Sequence, residues 1–152
     1  MTIREFTAEQ WLPLPPEEIF PFFADAGNLN LLTPPWVQFK ILTPLPITMR
    51  PGTLIDYRLR IHGLPVRWRT RINVWEPSRR FVDEQLRGPY RLWEHEHTFE
   101  PRNGGTLARD HVRYAAPLDW LSHRWFVRPD IEKIFRFRTE ALNRLFPAPA
   151  AA

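Results

Sequence analysis

Between Tyr90 and Phe99 the chain alternates with a period of two: Trp93, His95, His97 and Phe99 share one face of a strand, and Leu92, Glu94, Glu96 and Thr98 share the other. The second face is plainly solvated. The first is aromatic with two imidazoles set into it, which predicts the wall of a partly polar internal pocket rather than a purely apolar core.

The alternation recurs on either side. Val37 to Ile41 reads as a strand, and Pro44, Pro46, Pro51 and Gly52 form the connection after it. Leu54 to Ile61 turns Ile55, Tyr57, Leu59 and Ile61 inward, His62-Gly63 makes a tight turn, and Val66 to Trp75 returns with Val66, Trp68, Thr70, Ile72 and Val74 inward. Phe81 to Leu86 precedes the central strand. After the strong turn signal Pro101 to Gly105, Thr106 to Ala115 must face Asp110, Val112 and Tyr114 inward, because Arg109, His111 and Arg113 are too polar for a core. Ahead of these, Thr2 to Leu12 predicts a first strand with Ile3, Phe6, Trp11 and Leu12 as its apolar content. A short helix follows from Pro16, with Glu17 and Glu18 at its positive end and Pro21 bending it; a second, over Asp25 to Leu32, is stopped by Thr33-Pro34-Pro35. After Pro117 the period becomes helical, and Ile131, Ile134, Phe135, Ala141, Leu142 and Leu145 form the stripe of a long helix laid on a sheet. The order is α+β, a single domain over residues 1–146, with 147–152 expected to be a disordered tail.

Composition narrows the function. The 152 residues carry a net charge of +4, yet the arginines alternate with apolar residues along apparent strands rather than forming a basic run, so no nucleic-acid partner is expected. Arg67, Arg69 and Arg71 find natural partners in Glu94 and Glu96 if their strands are neighbours. No apolar run approaches bilayer length and the N-terminus lacks a basic-then-apolar leader, which predicts a cytoplasmic protein without stable membrane insertion. The absence of cysteine excludes disulfides and thiol catalysis. No nucleophile motif, phosphate loop or cofactor fingerprint occurs, so no cofactor is expected, and the oligomeric state stays open.

Register decides which polar groups share the pocket. An odd turn over Arg87-Gly88-Pro89 brings Phe81, Asp83 and Gln85 to the face of Trp93, His95 and His97, and a turn over Arg102 to Gly105 sets Asp110 opposite His97 and Val112 opposite His95. The expected site is therefore Asp83, Gln85, His95, His97 and Asp110, ringed by Trp68, Trp93, Phe99 and Tyr114.

This order resembles the START-like superfamily, the helix-grip domains that include polyketide cyclases, plant pathogenesis-related allergens and lipid-transfer domains. Leu14 to Asp25 is similar to that fold's opening segment, and Pro129 to Phe146 to its gripping helix. Pro34-Pro35-Trp36, Gly63 to Trp68, Phe81 to Tyr90 and Trp93 to Phe99 resemble a bacterial cyclase/dehydrase-like, ligand-binding subgroup. The resemblance implies a curved antiparallel sheet of about six to seven strands wrapped around the C-terminal helix, enclosing a cavity for a small hydrophobic or amphipathic molecule.

Three other readings stay open. His97 with Asp110 would make an oriented general base, and Tyr114 an acid, for cyclase or dehydratase chemistry. His95-x-His97 with Asp83 or Asp110 has the donor types of an open metal site. Trp120, Leu121, Trp125 and Phe126 crowd the approach to the last helix, where they plug the end of the grip or touch lipid or another subunit.

Overall fold

The computed structural model describes residues 1–149. Seven strands form one antiparallel sheet in the order β1-β7-β6-β5-β4-β3-β2. They are β1 (Arg4–Leu12), β2 (Lys40–Ile41), β3 (Leu54–Ile61), β4 (Leu64–Glu76), β5 (Arg80–Arg87), β6 (Leu92–Arg102) and β7 (Gly105–Ala115). Helix α1 (Pro16–Ala24) and two 3-10 segments (Ala26–Leu32 and Pro35–Val37) separate β1 from β2. At the other end, α2 (Asp119–Ser122) runs through a π turn (His123–Val127) into α3 (Arg128–Leu145), which the sheet grips.

The hairpins follow from turn chemistry. His62-Gly63 and Asn103-Gly104 both have positive φ at the two central positions, the combination that matches the twist of flanking strands. The second of these turns fixes His97 opposite Asp110 and His95 opposite Val112, and β5 pairs odd with odd, Phe81 with His97 and Asp83 with His95. That is the register read from the turn lengths.

Packing divides α3 between two clusters. Ala141 and Leu142 pack with Leu12, Ile19, Phe20, Phe23 and Phe99 at the α1 end, while Ile131 and Phe135 pack with Val112 and Tyr114. Gln10 of β1 donates to the Thr139 carbonyl at 3.0 Å and to Asn143 Oδ1 at 2.7 Å, tying the first strand to the helix.

Several local expectations fail for identifiable reasons. The strand over Val37 to Ile41 shrinks to Lys40–Ile41, because Pro34 and Pro35 start a 3-10 turn and Gln38 takes a left-handed φ of 49°. Even positions of β1 face inward, so Ile3 and Trp11 lie outside, and Trp11 donates its indole N–H to the Arg102 carbonyl. A bulge between Ile72 and Val74 reverses the parity of β4, and Trp75 rather than Val74 enters the core against Phe20 and Phe81. Strand β5 lies between β4 and β6, so Arg69 pairs with Asp56 and Arg71 with Glu84; Glu94 and Glu96 are taken by Arg113 and Arg80. Residues 147–149 carry no regular secondary structure, and the rest of the expected tail lies outside the described residues.

Candidate functional site

Between α3 and the inner face of β3 to β6 lies a cavity of about 450 Å3. Tyr57, Trp68, Tyr90, Trp93 and Phe135 supply its rings, and Ile55, Ile72, Ile131 and Ile134 its aliphatic walls. Polar groups concentrate on one wall, at Thr70, Asp83, His95, His97 and Arg138.

Asp83, His95, His97 and Arg138 belong to one connected charge cluster, whereas Thr70 bonds Tyr57 and Trp68. His97 Nε2 lies 2.7 Å from Asp83 Oδ2, and His95 Nε2 lies 2.7 Å from Asp110 Oδ1. The two imidazoles stack at 3.6 Å, and Phe81 stacks on the other face of His97 at 3.9 Å, so backbone pairing and ring stacking together fix both side chains. From α3, Arg138 brings its Nη2 to 3.4 Å from Asp110 Oδ1, with the guanidinium over the Phe23 ring.

His97 Nδ1 faces both Asp110 Oδ1 at 3.3 Å and Arg138 Nη2 at 3.4 Å, and it can serve only one of them. Two carboxylates against a single guanidinium would leave a buried negative charge. A proton on Nδ1 directed at Asp110 removes it. Burial alone would lower the His97 pKa, but its bonds to Asp110 and Asp83 outweigh that and hold it above the usual histidine value. Burial, reinforced by the neighbouring His97, holds His95 below it. Burial likewise opposes ionisation of the two acids. Arg138 and the histidines nevertheless keep Asp110 well below the ordinary carboxylate range, and His97 keeps Asp83 below it. The directions of these shifts favour a cluster with Asp83 and Asp110 ionised, His97 protonated ahead of His95 and Arg138 cationic, an arrangement that sums to zero.

Of the residues expected at the site, Trp68, Asp83, Trp93, His95 and His97 line the cavity. Asp110 stands behind them as the partner of both histidines and Arg138. Gln85 lies apart: its amide donates to the Tyr90 carbonyl and accepts from the Tyr90 N–H, bracing the β5–β6 turn. Phe99 packs in the α1 cluster. The Tyr114 hydroxyl bonds His123 at 2.8 Å, which keeps it out of the histidine cluster as an acid.

Arg138 escaped the sequence reading, although its spacing of seven from Ile131 and three from Phe135 sets a charge inside the apolar stripe of α3. Asp83, His95 and His97 have donor atoms within 4.8 Å of one another, close enough to consider a cation. The bonds already made between these donors and the adjacent Arg138 guanidinium weigh against one.

An antiparallel sheet gripping a long C-terminal helix, with an aromatic cavity between them, defines a START-like helix-grip protein. Residues 12–143 match the family model described as "Polyketide cyclase / dehydrase and lipid transport", and the chain belongs to that family. Its fold is also that of an aromatase/cyclase from Streptomyces sp. R1128, with a TM-score of 0.69 at 16% identity over 99% of this chain and 100% of that one. A protein of Chromobacterium violaceum aligns with a TM-score of 0.74 at 16% identity, over 95% of this chain and 98% of that one. The major latex-like protein 151 of Panax ginseng aligns at 0.69 and 8% identity, over 96% and 99%. At such identities the likeness is one of fold. A search of curated proteins returns no match.

Proposed function

We propose that the chain binds a small hydrophobic or amphipathic molecule in the cavity between sheet and α3. The volume of about 450 Å3 falls in the ~300–1,000 Å3 range of small-molecule sites, and the division into aromatic walls and one polar wall suits a ligand with an apolar body and a polar end. One observation carries the reading furthest. Arg138 lines the cavity beside Asp83, His95 and His97, and of its N–H donors Nη2 faces Asp110 and His97. A guanidinium donates and never accepts, so the polar end of a ligand that meets it is a hydrogen-bond acceptor such as a carbonyl or carboxylate oxygen.

The reading is tested with an environment-sensitive probe, anilinonaphthalene sulfonate, titrated into the wild type and into Ile134→Trp, which fills the cavity from α3. Saturable one-to-one binding to the wild type, weakened at least about tenfold in the variant, is expected. Equal binding by both proteins puts the probe elsewhere and contradicts the proposal.

A catalytic reading rests on His95. If its Nε2–H donates to the Asp110 carboxylate, Nδ1 keeps a lone pair, and a neutral, oriented imidazole on the cavity wall is the general base that cyclase or dehydratase chemistry needs. His97, held between two carboxylates, is less suited to that role. A bound molecule recovered chemically altered by the wild type but unaltered by His95→Gln favours catalysis, whereas one recovered unaltered from both favours binding alone.

A further inference from the structure

The end of the molecule at which the cavity opens carries an apolar surface that the fold leaves uncovered. Trp120, Leu121 and Trp125 occupy one face of the helical segment formed by α2 and the π turn. Trp120 is 81% exposed and Trp125 67%, and Leu118, Leu121 and Phe126 beside them are at least half exposed. Across from them, Leu64 at the β3–β4 hairpin tip is 69% exposed. His62 of that tip packs on the Phe126 ring at 5.7 Å and bonds Asp130 at 2.8 Å, which joins the two segments into one rim. His62, Gly63, Asp130 and Lys133 also line the cavity, so the rim borders its mouth. Single exposed apolar side chains are ordinary; two tryptophans, three leucines and a phenylalanine gathered at one opening are not.

The charged groups of the rim that have no hydrogen-bonding partner among the described residues, Arg124 and Lys133, are both cationic. Asp119 is paired with Arg4 and Glu132 with Arg128, and Asp130 is turned to His62 in a hydrogen bond. Among the described residues Arg124 and Lys133 make no ion pair, and the Arg124 guanidinium lies 5.2 Å from the centre of the Trp125 ring. We propose that this rim docks on an anionic lipid bilayer, with Trp120, Leu121 and Trp125 in the interfacial layer and Arg124 and Lys133 at the headgroups. A two-fold dimer would bring the same patch against itself and oppose Arg124 and Lys133 to their own copies, whereas a negatively charged surface with apolar depth satisfies both halves of the rim. Tryptophan beside arginine fits that boundary, where one end of the ring is dry and the other wet. The docking is peripheral, since no helix among the described residues is long and apolar enough to cross a membrane. It sets the cavity mouth at the lipid surface, so a hydrophobic molecule can enter or leave without crossing water.

The test is co-sedimentation of the full chain with vesicles of phosphatidylcholine alone and of phosphatidylcholine mixed with phosphatidylglycerol, read alongside tryptophan fluorescence. The wild type is expected to bind the mixed vesicles with a blue shift, to lose that binding in high salt, and to bind neutral vesicles weakly. Trp120→Ser/Trp125→Ser and, separately, Arg124→Glu are expected to weaken binding at least about tenfold, with circular dichroism and cavity probe binding unchanged because none of these residues lines the cavity. The single Arg124 variant decides the matter if the double variant does not fold. Wild type that stays in solution with the mixed vesicles overturns the proposal, as does undiminished binding by a folded variant. So does a wild-type dimer that becomes monomeric in Trp120→Ser/Trp125→Ser, which assigns the rim to a second copy of the chain.

Discussion

Replacing Arg138 by methionine removes one charge from a buried cluster while keeping most of the side chain's volume against Phe23. In the wild type the Arg138 and Asp110 side chains are 12% and 14% exposed, so neither charge is well hydrated. Removing one partner of a buried ion pair costs ~3–5 kcal/mol because the other charge is stranded. Asp110 retains His95 at 2.7 Å and His97 at 3.3 Å, which places the expected loss near the lower end, about 3 kcal/mol at pH 8. The variant cluster holds two carboxylates against one imidazolium, and proton uptake by His95 restores neutrality. The folded variant therefore binds an additional proton as the pH falls, and its deficit relative to wild type shrinks between pH 8 and pH 5.5. Urea unfolding of both proteins at the two pH values, followed by tryptophan fluorescence and circular dichroism, measures this directly. A loss under about 1 kcal/mol at pH 8 refutes the charge assignment, and so does a deficit that does not shrink with acidification.

Other consequences are independent of that variant. His97 is held above the ordinary histidine value of 6.5, so the stability it contributes is complete below 6.5 and is lost as the pH rises through its folded pKa; His95 is held below 6.5, so its contribution is complete above 6.5 and shrinks as the pH falls toward its folded pKa. Nitrogen-detected NMR across a pH series should find His97 keeping its second proton to a higher pH than His95, and the reverse order would contradict the cluster's charge balance. Asp83 and Asp110 are held below 3.8, so their contribution is present above that value and is lost only as the pH falls through their folded pKa values. Gly105→Ala would set a Cβ 2.3 Å from the Leu12 carbonyl oxygen and 2.6 Å from the Trp11 ring. Crowding of this kind costs ~1–3 kcal/mol, and an unchanged melting temperature would show that β1 and β7 can separate. Thr106 is fully buried and donates to the carbonyl of the exposed Leu14 at 2.7 Å, so Thr106→Val should cost about 0.5–1.5 kcal/mol by removing that bond, read as a lower midpoint in urea unfolding.

Much of the architecture was legible because two-residue alternation and turn chemistry are local properties of the chain. The turns at Arg87 to Pro89 and at Arg102 to Gly105 set the parity of three strands, and parity brings Asp83, His95, His97 and Asp110 together. Alternation tells which face a residue occupies, not how far along the cavity it lies. Phe99 and Tyr114 share the inner face yet fall beyond the two ends of the pocket, in the packing clusters. Gln85 was lost to a local demand, because the Gly88-Pro89 turn takes its amide as a brace. The bulge that turns Trp75 inward left no sign in the pattern around Asn73. Arg138 was visible as the charged interruption of the α3 stripe, but its meaning depended on which strand residue stood opposite, a tertiary fact absent from helical spacing.

Whether the cavity holds a small molecule with an apolar body and an acceptor at its polar end is read by native mass spectrometry of freshly purified protein, followed by denaturation and identification of what is released. A one-to-one adduct bearing a carbonyl or carboxylate group is expected, retained by the wild type and reduced in both Arg138→Met and Ile134→Trp. An adduct retained equally by both variants, or one without a hydrogen-bond acceptor, would contradict it.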